Sequence, residues 1–243
     1  MKVIEFFGPP CSGKSYYNNF IKNKLYPNYI NSDLLIYKYS KNYIKLTILD
    51  HIALKYFKFI KNSKSRIKRI NKNLIKNNHH IKKNFVSYFL LIRYRNIFEK
   101  LFLKYKNKNK KFVYFYLSLI SKLPKSEREK HTVWVKELFA KYLIIENNKS
   151  LKKFVIFDEG IAQRVSIILK VKKNKLININ NYINLMPKPD YLIYLDNNTK
   201  KLFTISNKRL KTDGIFKYKN IKEVKKYKNF FNTFFKKIKF YKK

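Results

Sequence analysis

Residues Gly8-Pro9-Pro10-Cys11-Ser12-Gly13-Lys14-Ser15 complete a GxxxxGK[ST] motif, and no other stretch restricts the fold of this chain as tightly. The motif works only between a buried strand and a helix N-terminus, because its backbone N–H groups must converge on phosphate while the helix dipole favours negative charge. Both neighbours are legible. Lys2-Val3-Ile4-Glu5-Phe6-Phe7 reads as a short buried strand, and Ser15 to Lys24 as a helix that Pro27 terminates. In such a loop Lys14 neutralises charge on the β- and γ-phosphates and the Ser15 hydroxyl ligates Mg²⁺. Gly8 through Ser15 is therefore expected to bind ATP with Mg²⁺.

Two further stretches look like core strands of a parallel sheet, Phe154–Phe157 and Tyr191–Leu195, being short, apolar and β-branched or aromatic. Each leads through a turn into a helical pattern, the rhythm of a doubly wound α/β fold. Asn28–Ile30, running into Asn31-Ser32-Asp33, is a weaker fourth strand, and Lys237–Tyr241 reads as a last edge strand. Asp33 is placed either to bind the acceptor or to cap the helix that follows. The fold class this implies is α/β: a P-loop NTPase three-layer sandwich with a parallel sheet, forming a single domain over residues 1–243.

Between Ile36 and Glu146 the βα rhythm stops. Helices are expected over Tyr43–Ile60, Phe85–Tyr105, Phe112–Ser121 and Glu127–Glu146, with Asn62–His80 as a polar loop or frayed helix. Residues 36–126 hold 24 Lys and Arg against only Asp50 and Glu99, so they form a large basic helical insertion. Glu127–Glu146 carries an apolar stripe of Val133, Val135, Leu138, Phe139, Tyr142 and Leu143. It is expected to pack on the sheet, with Trp134 as a core or interface residue.

The whole chain carries 57 Lys and Arg against 14 Asp and Glu, a net charge of +43. Abundant Lys, Asn, Ile, Tyr and Phe accounts for part of this, but not for the shortage of acids, which points to an anionic partner: a membrane surface, an anionic glycan or, with less support, nucleic acid. Apolar residues in Phe85–Leu91 and Ile97–Leu103 alternate with Arg93, Arg95, Lys100 and Lys104, which suits either an interfacial helix or the core of the insertion. No apolar run reaches membrane-spanning length, and a glycine loop stands where a signal peptide needs apolar residues. The expected location is cytoplasmic, with peripheral attachment to a membrane. Cys11 is expected to be a spacer, and His51, His79, His80 and His131 lack metal-binding spacing.

Phe154-Val155-Ile156-Phe157-Asp158-Glu159-Gly160 sets two carboxylates at the C-terminal end of a strand, where ligands bind in open α/β sheets. Asp158 is suited to hold Mg²⁺ and Glu159 to accept a proton from an attacking hydroxyl. One turn on, Arg164 is suited to contact an acceptor phosphate or the transferring phosphoryl group, and Gln163 to bond a base or sugar.

The glycine loop Gly8–Ser15, the strand ending in Asp158-Glu159-Gly160, and Lys188-Pro189-Asp190-Tyr191-Leu192-Ile193-Tyr194-Leu195-Asp196 together resemble the thymidylate kinase and deoxynucleoside kinase group of P-loop kinases. The resemblance covers about the first 35 and last 95 residues, and it departs from that group in carrying Asp158-Glu159 where Asp-Arg is usual. It implies an ATP-dependent kinase acting on a nucleotide, nucleoside or other small-molecule acceptor. Thr199–Arg209 would be a helix leading into a lid, Lys208–Gly214, from which Arg209 and Lys211 stabilise the transferring phosphoryl group. The competing expectation is a P-loop NTPase whose basic insertion holds nucleic acid or an anionic membrane.

Overall fold

The computed structural model describes residues 1–32, 34–70, 85–157, 159–171, 175–208 and 218–240. It divides into two compact units, the first comprising Met1–Ile30, Asn109–Thr132 and Lys149–Lys243, the second Asn31–Lys108 and Val133–Asn148.

The first unit is built on a four-stranded, all-parallel sheet in the order β2-β3-β1-β4. Its strands are β1 (Lys2–Phe7), β2 (Tyr29–Asn31), β3 (Phe154–Phe157) and β4 (Tyr191–Tyr194). Val3 pairs with Val155, and Phe6 with Ile193. β1 is central and buried on both faces, which is why Val3 to Phe7 carries no solvent-facing alternation. On one face Ile4, Phe6 and Ile156 pack against Ile21 and Leu25 at the end of α1 (Lys14–Lys24). On the other, the Phe7 ring meets Phe231, Phe234 and Phe235 of α10 (Ile221–Phe240), with centroids 5.7–6.4 Å apart. Helices therefore cover both faces, as a parallel sheet requires.

The sheet is tied at both ends. The Asp190 carboxylate, two residues after Lys188, accepts the Val3 N–H at 2.7 Å, and Leu195 N–H donates to the Phe7 carbonyl at 2.9 Å. Asn28 supplies its carbonyl to the Phe154 N–H at 2.8 Å, so the weak second strand forms at the edge beside β3.

Several expectations are corrected. Lys237–Tyr241 was expected as an edge strand, yet α10 runs through Phe240: its Lys and aromatic residues alternate locally, but Phe230, Phe231, Phe234 and Ile238 are buried at helical spacing. The helix opening at Ile161 keeps α-geometry only to Arg164 (α7), and Val165–Lys170 tightens into a 3₁₀ turn where β-branched Val165, Ile167 and Ile168 crowd the backbone. The segment Phe112–Ser121 lies in α5 (Lys110–Ser121), which belongs to the sheet-bearing unit and contacts α8 (Lys175–Leu185).

The second unit contains α2 (Leu34–Tyr39), α3 (Ile48–Ile70), α4 (Phe85–Lys108) and the Val133–Glu146 part of α6 (Lys125–Glu146). α3 starts at Ile48, not Tyr43, because Thr47 and Asp50 form a reciprocal cap: Thr47 N–H donates to Asp50 Oδ2 at 2.9 Å and Asp50 N–H to Thr47 Oγ1 at 3.2 Å. It then continues to Ile70, into the stretch expected to be a polar loop or frayed helix, of which residues 62–70 are helical and 71–80 lie outside the described residues.

The core of this unit is aromatic. Tyr94 stacks on Phe57 at 4.6 Å, and Phe139 stacks between Phe102 and Tyr105 at 6.1 and 5.0 Å. Leu90, Ile97, Phe98 and Leu101 are buried with them, so the apolar face of α4 is core and the interfacial-helix expectation for it is withdrawn. Phe139 stacks on two rings of α4, and Trp134 is exposed rather than core. No described helix is long and apolar enough to cross a membrane.

In the first unit His131 is half-buried beside Glu127 and Lys170. Burial above all, and then the charges of Lys170 and Arg164, hold its pKa down to about 4, against an ordinary value of 6.5. The unfolded chain therefore takes up a proton between those values that the folded chain refuses, and stability falls as pH drops through that window. The slope reaches at most about 1.4 kcal/mol per pH unit. Glu127, whose pKa is lowered chiefly by its hydrogen bond from Lys170, adds a loss of the same sign below its ordinary 4.5. Thermal melts of wild type and His131→Gln between pH 7 and 4.5 test this: the variant should show the flatter profile from pH 6.5 downward.

Candidate functional site

Three residues of the glycine loop adopt positive φ: Gly8 at 144°, Cys11 at 69° and Gly13 at 93°. At Gly8 the requirement is also spatial, because a Cβ there would lie 2.2 Å from the Leu195 carbonyl oxygen. The loop thus needs glycine at its start to lie against the end of β4. Its N–H at that point donates to Gln163 Oε1 at 2.9 Å in a buried contact. Gln163, expected to read a base or sugar, instead holds the loop to α7.

The tip of the loop is held from the C-terminal third of the chain. Tyr218 OH donates to the Pro10 carbonyl at 2.9 Å, and Tyr218 N–H donates to Ser206 Oγ at 2.9 Å on α9 (Thr199–Lys208). Asn197 Nδ2 reaches the Ser12 carbonyl at 3.2 Å. Cys11 is buried against Leu202, Tyr218 and Val224, so it is an apolar anchor and not a mere spacer. Its positive φ is sustained by that packing.

Lys14 opens α1 and turns its ammonium back over the loop, donating to the Gly8 and Pro9 carbonyls at 3.1 and 3.0 Å. Gly13 caps α1 without a side-chain acceptor, and the first turn contains no acid. The positive end of this helix is therefore not neutralised by its own side chains, and the donor set suits an anionic ligand such as a polyphosphate. Ser15 is exposed at the second position of α1, free of apolar cover and suited to a metal-bound phosphate.

At the end of β3, Asp158 lies outside the described residues, as do Asp33, Arg209 and Lys211. Among the described residues no group of three His, Cys, Asp or Glu side chains gathers as a metal site. Glu159 is exposed and pairs with Arg164, Oε2 to Nη2, at 3.1 Å. Those two expected site residues therefore meet each other directly. Arg164 and Gln163 share one turn of α7, so the same turn bears an ion pair and a contact to the loop.

Residues missed by sequence reasoning complete the arrangement. Glu5, fully buried in β1, accepts the Ile161 N–H at 3.0 Å and the Ala162 N–H at 2.7 Å, and so caps α7. A Cβ on Gly160 would come within 2.2 Å of the Glu5 Cδ, which explains that glycine by space and not by φ. From α10, Lys228 bonds Asp196 Oδ2 at 3.1 Å and the Asn197 carbonyl at 2.9 Å, fixing the end of β4 where the loop leans on it. The rarity of acids was the available signal for Glu5, since an acid inside an apolar strand is costly unless it is hydrogen-bonded.

Glu5→Ala and Gly160→Ala should each destabilise the protein by about 1–3 kcal/mol, the first by orphaning two N–H groups and the second by displacing the carboxylate that serves them. Because both act on one contact, Gly160→Ala should cost nearly nothing in the Glu5→Ala background, and additive costs in a urea-unfolding cycle would contradict the assignment. The chain has no match among protein-family models, curated proteins or solved structures.

Proposed function

We propose that this chain is an ATP-dependent phosphotransferase of the P-loop type, related in design to the thymidylate kinase and deoxynucleoside kinase group, acting on a small-molecule acceptor. The observation that carries the reading is the loop itself: a GxxxxGK[ST] sequence that wraps through three positive φ angles between the central strand and a helix N-terminus, with Lys14 folded over it. Polyphosphate competes for the Lys14 ammonium, exchanging contacts to two neutral carbonyls for contacts in which both partners are charged.

Ser15 and Asp158 are the residues proposed to hold Mg²⁺, which when bound neutralises charge shared between the β- and γ-phosphates. Glu159 takes the role of proton acceptor from the attacking hydroxyl, and Arg164 that of acceptor-phosphate or phosphoryl contact. Their ion pair supports a coupled action. An anionic group that draws Arg164 away leaves Glu159 ionised, exposed and available as a base. The role of Arg209 as a further phosphoryl contact rests on the resemblance alone. The acceptor classes that fit so basic a protein are a nucleotide or an anionic glycan unit, a neutral nucleoside being proposed on the resemblance alone, and a cytoplasmic setting supplies the ATP.

Two experiments test the proposal. Lys14→Met should fold normally and lose binding of a fluorescent ATP analogue by on the order of tenfold or more, the equivalent of one charge-assisted contact of about 1.5–3 kcal/mol. Unchanged affinity in the folded variant would overturn the nucleotide assignment. Incubation with γ-labelled ATP and pools of nucleosides, nucleoside monophosphates and glycans should transfer label to one pool. Label released only as inorganic phosphate, and only with DNA or RNA present, would instead make the protein a nucleic-acid-stimulated NTPase. In the same assay Glu159→Gln should slow transfer while leaving ATP affinity within about twofold, since its role is in proton removal and not in nucleotide binding.

A further inference from the structure

The two faces of α3 are both partly apolar, and one of them is largely exposed. Asp50, Ala53 and Leu54 are buried and Phe57 stacks on Tyr94, which defines the inward side. On the outward side Ile48, Ile52 and Phe59 are 80%, 46% and 72% exposed. At about 100° per residue these three fall within a sector of about 40°, a narrow line along the helix. Leu49 widens it at one end. Lys55 lies on the same line between Ile52 and Phe59, while His51 and Lys58 flank it, all exposed.

The acids of the region are absent from this surface. Asp50 is the only Asp or Glu between Leu34 and Phe98, and it is 3% exposed and engaged in the cap with Thr47. The sequence adds Lys61, Lys64, Arg66, Lys68 and Arg69 along the same helix.

We infer that the outward face of α3 docks on the surface of an anionic phospholipid bilayer. Aliphatic and phenyl side chains in line suit the boundary between headgroups and acyl chains, and long basic side chains beside them can lay their stems on that boundary while keeping the charge among the headgroups. Each basic residue near such a surface adds attraction within a Debye length. Single-stranded nucleic acid is the poorer occupant, because of the exposed apolar residues only Phe59 offers a π-face for a base, while Ile48, Leu49 and Ile52 offer none. A second copy of the chain would bring two faces of the same positive sign together.

The test uses the full chain in flotation with phosphatidylcholine vesicles, with and without phosphatidylglycerol, at low and physiological salt. Wild type should float only with the anionic vesicles, and less as salt rises. The exposed triple variant Ile48→Ser/Ile52→Ser/Phe59→Ser should lose binding on the order of tenfold or more. Lys55→Glu/Lys58→Glu should lose most of the salt-sensitive part. Both variants should keep the wild-type melting temperature and ATP-analogue affinity. Failure of wild type to float at low salt would overturn the inference, as would equal flotation of the triple variant. So would a triple variant whose only change is the loss of self-association on gel filtration, or of oligonucleotide retardation in a gel.

Discussion

The buried carboxylate of Glu5 is the interaction on which the candidate site depends. A carboxyl group inside a parallel sheet is tolerable only where donors replace the water it has lost. Here the two leading N–H groups of α7 do so, and the partial positive charge of a helix start adds to them. The contact holds the exit of β3 against β1 and excludes any side chain at position 160. Its consequences run outward in order. With α7 fixed, Gln163 reaches the Gly8 N–H, and Arg164 reaches Glu159. A short helix of four residues has little stability of its own, so these side chains owe their positions to one acid on a neighbouring strand.

The excess of basic residues divides into physically different populations. Some lysines act as fasteners: Lys228 binds the end of β4, Lys136 pairs with Glu99, and Lys104 holds the Tyr43 carbonyl. Others stand on α3 with no acid near them in sequence beyond the buried Asp50. The helices of the second unit are held mainly by stacked rings, an arrangement that does not depend on salt. A unit with an aromatic core can carry a strongly charged surface without relying on surface ion pairs for its fold.

The parts legible in the sequence were those set by local pattern. The strand, loop and helix of residues 2–24, the strands at Phe154 and Tyr191, and the helix at Thr199 follow from runs of apolar residues and from glycine placement. What escaped was set by distant partners. Nothing near Gln163 signals that its amide oxygen will serve Gly8, 155 positions earlier, and nothing near Tyr218 signals a bond to Pro10, 208 positions away. The two faces of α4 and α3 illustrate the same limit. Both helices alternate apolar and basic residues, and only packing decides that the apolar face of one is core while part of the other points outward. In α10 a short two-residue alternation imitated a strand, and the longer helical period prevailed because it buries four large side chains at once.

Cys11 and Pro10 lie at the tip of a loop made within the first dozen residues, yet their anchors, Leu202, Tyr218 and Val224, belong to the last fifth of the chain. During synthesis the motif therefore leaves the ribosome long before anything exists to hold its shape. The strand partner of β1 at Phe154 comes next, and the clamp over the loop comes last. Completion of the loop is a late event of folding, since its anchoring contacts to Gln163, Leu202, Tyr218 and Val224 span most of the chain, while the Lys14 contacts to Gly8 and Pro9 are local. Nascent or truncated chains lacking α9 and α10 carry the full glycine motif without the contacts that hold its tip.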